Sequence, residues 1–192
     1  MKLNTEKTKK FNLYKLVLSA VFLAVGMVLP LFTAQIKEIG DTLLPMHIPV
    51  MLCGLICGAK YGTLVGVLLP FIRSITFGMP PIYPNAVWMA FELATYGFVI
   101  GILYARSKKR KKGYLYFCLA CAMLSGRVIW GIAKAILLGV AGKGFTLQAF
   151  IVGGFADAVP GIILQFILIP LIMVFVERAI NKKNNGYKED IK

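Results

Sequence analysis

Residues 84–104 read "PNAVWMAFELATYGFVIGILY", a run with one charged residue, Glu92. About 20 apolar residues suffice for a helix to cross the hydrocarbon core of a bilayer. A charge at that depth costs about 2.5–3.5 kcal/mol on insertion scales, and it normally faces a bundle interior or a wet cavity. The carboxylate therefore makes sense only if the rest of the chain supplies a bundle for it to face.

The rest of the chain does supply one. Of its 192 residues, 58% are hydrophobic, and the mean hydropathy is +0.76. No soluble domain of this length buries so much apolar surface. The lysine-rich start runs into an apolar stretch longer than a signal-peptide core, with no A-x-A site after it, so a retained helix is expected instead of a cleaved leader. Six spans are predicted, at about 11–30, 46–59, 61–78, 85–105, 114–141 and 148–178. Between the third and fourth, "GMPPIYPN" (78–85) breaks the helix, because proline lacks the amide donor and clashes with the preceding turn. The second and third spans are short and the last two long, which tilt or an irregular helix end can absorb. The expectation is an all-α integral membrane protein, a six-helix bundle forming one transmembrane domain over residues 1–192.

Lysine and arginine set the orientation. With both termini in the cytoplasm, 17 of the 22 basic residues lie on cytoplasmic segments, while the outer loops keep Lys37 and Lys143. The positive-inside rule favours that topology. The run "RSKKRKK" (106–112) then reads as a stop-transfer loop with some attraction to anionic lipid. The net charge of +14 is largely explained this way, and nucleic acid is not an expected partner.

Three basic residues remain inside predicted spans: Arg73, Arg127 and Lys134. Glu92 and Asp157 accompany them. All five fall in the outer half of the membrane or near its middle, which points to a polar pocket open to the outside. Left unpaired, Glu92 would protonate or destabilise its span, so it is expected to pair with Arg127 and orient it toward a ligand. A plainer reading makes all five purely structural ion pairs. That reading accounts less well for five charges at one depth and for their surplus positive charge, which calls for an anionic partner. Trp88 lies one turn before Glu92, and Trp130 lies between Arg127 and Lys134 at i+3 and i+4 spacing, so both are candidate pocket walls. Tyr83 and Tyr96 are placed to contribute.

His47, at the outer mouth of the second span, is the only histidine, and no metal site is expected from it. Cys53, Cys57, Cys118 and Cys121 read as reduced packing residues. No GxSxG, HExxH or P-loop is present, so neither an enzyme nor an ATP-binding segment is expected, and no cofactor. Gly54, Gly58, Gly62 and Gly66 recur every four residues, and Ala20 with Ala24 forms an AxxxA on the first span. Small residues at this spacing let helices approach closely in lipid.

Taken together, the AxxxA, "HIPVMLCGLICGAKYG" (47–62), "RSITFGMPP" (73–81) and "NAVWMAFELATYG" (85–97) resemble the substrate-binding S component of energy-coupling-factor (ECF) vitamin transporters. The resemblance implies a six-helix bundle in a bacterial cell membrane that binds one vitamin near its outer side. It implies a membrane scaffold (T) subunit and two ATPase (A) subunits as partners, with Ala20 and Ala24 facing the scaffold. It also implies that loops at about 31–45 and 79–84 cover the substrate. The expected binding residues are His47, Arg73, Tyr83, Asn85, Trp88, Glu92, Arg127, Trp130, Lys134 and Asp157. The surplus cation favours an anionic substrate, pantothenate first and a pyridoxine-type vitamin second. A stand-alone secondary transporter and a non-catalytic membrane scaffold are the rival classes.

Overall fold

The computed structural model describes residues 2–33, 44–106, 112–142 and 144–189, and side chains over 12–31, 44–106, 113–142 and 144–179. The described residues are almost entirely helical and contain no strand. Helix α1 spans Lys2–Thr33, α2 His47–Cys57, α3 Ala59–Phe77, α4 Val87–Arg106 and α5 Lys112–Val140. A short α6, Leu147–Ile151, leads through a π turn at Val152–Ala156 into α7, Val159–Glu189.

Among the described residues, four stretches are long and apolar enough to cross a membrane: Asn12–Leu31, Ile82–Arg106, Gly113–Val140 and Leu147–Ala179. The second and third expected spans fall outside that group. At about 1.5 Å per residue, the 11 residues of α2 reach only about half-way across the hydrocarbon core. Ten of those residues are buried, because α2 packs against α1, α3, α4 and α7. It forms the bundle's core and has little lipid-facing surface. The sixth expected span is irregular, since a π turn interrupts the helix between α6 and α7.

Glycines bring α2, α3 and α4 together. Gly58 takes φ 99° in the one-residue turn between α2 and α3, a left-handed conformation that a side chain would strain. A Cβ at Gly62 would strike the backbone of Gly54, and one at Gly66 the backbone of Leu93. The glycine repeat of α2 and α3 therefore meets matching glycines on α4: a Cβ at Gly97 would enter the backbone of Gly62, and one at Gly101 that of Ala59. Helices this close gain dispersion contacts that lipid tails cannot replace.

At the other end of α3, Gly78 closes the helix in the left-handed region (φ 68°), its N–H donating to Ser74 O at 2.9 Å. The Ser74 hydroxyl donates to Pro80 O at 2.6 Å, so the proline-rich loop is held against the helix it has just left. A π turn at Ile82–Ala86 then starts α4, with Tyr83 in an extended conformation inside it. This loop fixes where Trp88 and Glu92 emerge.

Candidate functional site

Glu92 lies on the face of α4 turned to the core and is only 2% exposed. Three side chains converge on its Oε1. Tyr96, one turn further along α4, donates its hydroxyl at 2.9 Å. Arg127 of α5 brings Nη1 to 3.0 Å, and His47, the first residue of α2, brings Nε2 to 3.4 Å. The histidine contact is an electrostatic one, since neither ring nitrogen has a hydrogen-bond partner among the described residues. The His47 ring also leans on Tyr96, centroids 5.1 Å apart at 60°. All four residues are buried. A side chain at Gly126 would run into the Tyr96 ring, so glycine on α5 gives the tyrosine room to lie across that helix beside Arg127. The pairing of Glu92 with Arg127 is as the sequence reading expected, and His47 and Tyr96 make it a four-residue cluster from three helices.

Two turns along α5 lies a second arrangement. The Lys134 ammonium sits 4.5 Å from the Trp130 ring centroid, 5.3 Å from Trp88 and 5.5 Å from Phe145. Phe145 meets Trp130 edge-on at 6.1 Å, and Phe150 stacks on it at 6.3 Å. Gly131 leaves the space that Phe150 fills. An ammonium over an aromatic face gains about 0.5 kcal/mol when exposed and about 2 when desolvated. The box therefore holds the Lys134 ammonium in place against three rings. Trp88 is four residues before Glu92, so α4 carries one wall of the box and the centre of the carboxylate cluster on the same face.

The other expected residues lie elsewhere. Arg73 is buried but turns toward α1, donating to Met27 O at 2.7 Å with its guanidinium 5.3 Å from the Phe77 ring. Tyr83 is exposed and donates to Leu137 O of α5 at 3.4 Å, spanning from the proline-rich loop to the end of that helix. Asn85 is half-buried in the π turn. Asp157, expected among the buried charges, is exposed. The π turn before it shifts the helical phase, and the buried stripe runs through Gly154, Ala158, Gly161 and Gln165, one residue off the aspartate. Ala20 and Ala24 are both exposed on α1, whose other face buries Ser19, Gly26 and Pro30. The expected covering loop at about 31–45 lies mostly outside the described residues.

Gln165 and Phe145 were not among the expected residues. Gln165 is 1% exposed, and its amide nitrogen has no partner among the described residues. Its signal was present in "GIILQFILIP" (161–170), a lone polar residue in an apolar run like Glu92. A search for charges alone passes over it.

Described residues that are almost all helical, with four stretches long and apolar enough to cross a membrane, are the build of a multi-pass membrane protein. The family assignment agrees. The chain belongs to the ECF transporter, substrate-specific component family, whose model matches residues 14–176. No curated protein and no solved structure matches it. It is thus a substrate-specific subunit of an ECF transporter in the cell membrane, working with membrane T and ATPase A subunits on a small-molecule substrate.

Proposed function

We propose that this subunit binds a vitamin bearing a carboxylate or another anionic group, and that the cluster around Glu92 and the box around Lys134 form its pocket. The observation that carries the reading is the juxtaposition on α4 and α5 of an internally neutralised pair, Glu92–Arg127, and a cation held by aromatic rings. The first supplies a pre-positioned guanidinium and carboxylate for hydroxyl or amide groups. The second supplies positive charge for an anion. Pantothenate, with a carboxylate at one end and hydroxyls at the other, fits both halves. A pyridoxine-type vitamin is the second reading, favoured by the flat walls of Trp88, Trp130 and Phe145, on which a planar ring would stack.

In this reading all six helical segments form one transmembrane unit, both termini face the cytoplasm, and the pocket opens outward. Tyr83 and Asn85 belong to its cover, with Arg73 and Asp157 at its margin. Ala20 and Ala24 dock on the T subunit, and ATP is hydrolysed on two separate A subunits, so the chain itself performs no catalysis. The test is to purify the protein in mild detergent and identify the compound that co-purifies. A carboxylate-bearing vitamin displaced by excess pantothenate supports the reading. A bound cation, or uptake by the isolated chain that collapses with the proton gradient, refutes it.

A further inference from the structure

A groove of about 350 Å3 lies between α4, α5 and α7, lined by Tyr104, Leu115 and Tyr116 and by α7 from Phe166 to Glu177. It is separate from the residues around Glu92 and Lys134. Its floor is apolar, with Leu115, Pro170 and Met173 buried. Its outer lip is the helical row Ile167–Leu171–Val174, in which Ile167 is 63% and Leu171 50% exposed. Tyr116 stacks on Phe166, rings 6.2 Å apart and nearly parallel, which makes a flat wall. At one end the Tyr104 hydroxyl donates to Glu177 Oε1 at 2.9 Å, so the one carboxylate lining the groove is engaged with the protein.

Arg178 is exposed and continues the lip, four residues beyond Val174 on the same helical row. From Ile167 to Arg178 is eleven residues, or about 16 Å at the helical rise. One leaflet of the hydrocarbon core has nearly that thickness, about 15 Å. Arg106, exposed at the end of α4, adds a second guanidinium at this end of the bundle. A groove of one leaflet's depth, open sideways and ending in arginine, has the form of a lipid seat.

We infer that the α4–α5–α7 groove binds an anionic phospholipid, one acyl chain lying along Ile167 and Leu171 and the phosphate meeting Arg178. The chain fills apolar space that water cannot favourably occupy in a membrane. The phosphate gains a charge-assisted hydrogen bond from a guanidinium, whose fork matches phosphate geometry. Basic residues at a membrane surface attract anionic lipid in the same way.

The experiment is native mass spectrometry of the full chain, delipidated in detergent and then exposed to phosphatidylglycerol or phosphatidylcholine. Phosphatidylglycerol is expected to stay bound and phosphatidylcholine to leave. Arg178→Ala should lower phosphatidylglycerol occupancy about fivefold, the share of one arginine near an anionic surface. Leu171→Trp, which fills the groove, should abolish retention of phosphatidylglycerol, with substrate affinity unchanged. If Leu171→Trp does not fold, the exposed Arg178 variant decides. Equal retention of the two lipids, indifferent to Arg178→Ala, would mean ordinary annular lipid and would overturn the proposal. So would a Leu171→Trp variant that keeps its lipid but no longer assembles with the T subunit, since the groove would then be a protein interface.

Discussion

Glu92 on α4 and Arg127 on α5 meet at 3.0 Å with both side chains buried, so each serves as the other's counter-ion. Breaking a buried pair by removing one partner costs about 3–5 kcal/mol, because the remaining charge is stranded. Arg127→Ala is therefore expected to lower stability severely and to abolish ligand binding. Glu92→Gln keeps the shape and an amide oxygen that still accepts from Tyr96 and Arg127, so it should fold, with lowered stability because the Arg127 charge loses its counter-ion. It should weaken ligand binding about tenfold or more, the scale of a charge-assisted hydrogen bond of about 1.5–3 kcal/mol. Ligand titration and thermal unfolding of each purified variant separate the two roles. Wild-type affinity with lowered stability would make the pair a structural clamp and nothing more.

The alanines of α1 lead to the opposite pattern. Ala20 and Ala24 are exposed four residues apart, and a close-packed helix partner would need that flat strip. Replacing both with leucine is expected to leave ligand affinity and melting temperature unchanged while abolishing uptake in cells that carry the coupling subunits. Undiminished uptake would remove the docking role from this face.

The glycine seam yields a prediction about the fold alone. A Cβ at Gly97 would enter the backbone of Gly62, where no side chain can move aside. Gly97→Val should force α3 and α4 apart and cost at least the 1–3 kcal/mol typical of an overpacked core. Gly113→Val, at a position with open space around it, is the control. Equal melting temperatures for the two variants would contradict the close approach.

How much of this could be read in the chain depends on the kind of signal. The apolar runs and the prolines at 80, 81 and 84 marked α2 to α5 within about two residues, whereas α1 starts nine residues before and α7 ends eleven residues after the spans expected, because a helix can continue past the membrane into polar sequence. Glu92 and Arg127 were legible as partners because an isolated charge in lipid is so costly that it must be paired. Asp157 misled for a physical reason: depth counted along an ideal helix fails across a π turn, and the aspartate rotates out of the buried stripe. His47 was read as a mouth residue, but its approach to Glu92 depends on α2 being a core helix. That in turn depends on Gly54 of α2 packing against the backbone of Gly97 of α4, more than thirty residues away in the chain.

Tyr83 ties the proline-rich loop to α5 through a single hydrogen bond to Leu137 O, at a long 3.4 Å. Prolines restrict the backbone of this segment to few conformations, so a cover here would switch between discrete positions rather than drift. Spin labels placed beside Tyr83 and near Leu137 are expected to show two separations, with saturating ligand favouring the shorter. Tyr83→Phe, which removes the donor, should speed ligand release several-fold with little change in association. A single separation at all ligand concentrations would rule out a lid.

Lys134 offers the sharpest test of substrate charge. Its ammonium is caged by Trp88, Trp130 and Phe145, and aromatic faces attract a cation without neutralising it. An anionic group entering the box therefore meets an ammonium already held in position by the rings, with little side-chain entropy left to lose. Lys134→Met keeps the length and the apolar stem while deleting the charge. It is expected to weaken a carboxylate-bearing vitamin by tenfold or more, and to leave the corresponding neutral amide or alcohol within about twofold of its wild-type affinity. Isothermal titration of both ligands against both proteins gives the four values needed. The difference between the two losses isolates the charge–charge term from any loosening of the box, because loosening would affect both ligands alike. Equal losses for the acid and its neutral analogue would show that Lys134 supports the aromatic walls and does not contact the substrate's charge. Tighter binding of a cationic ligand to the methionine variant would reverse the assignment, with the lysine then occupying a seat meant for a cation.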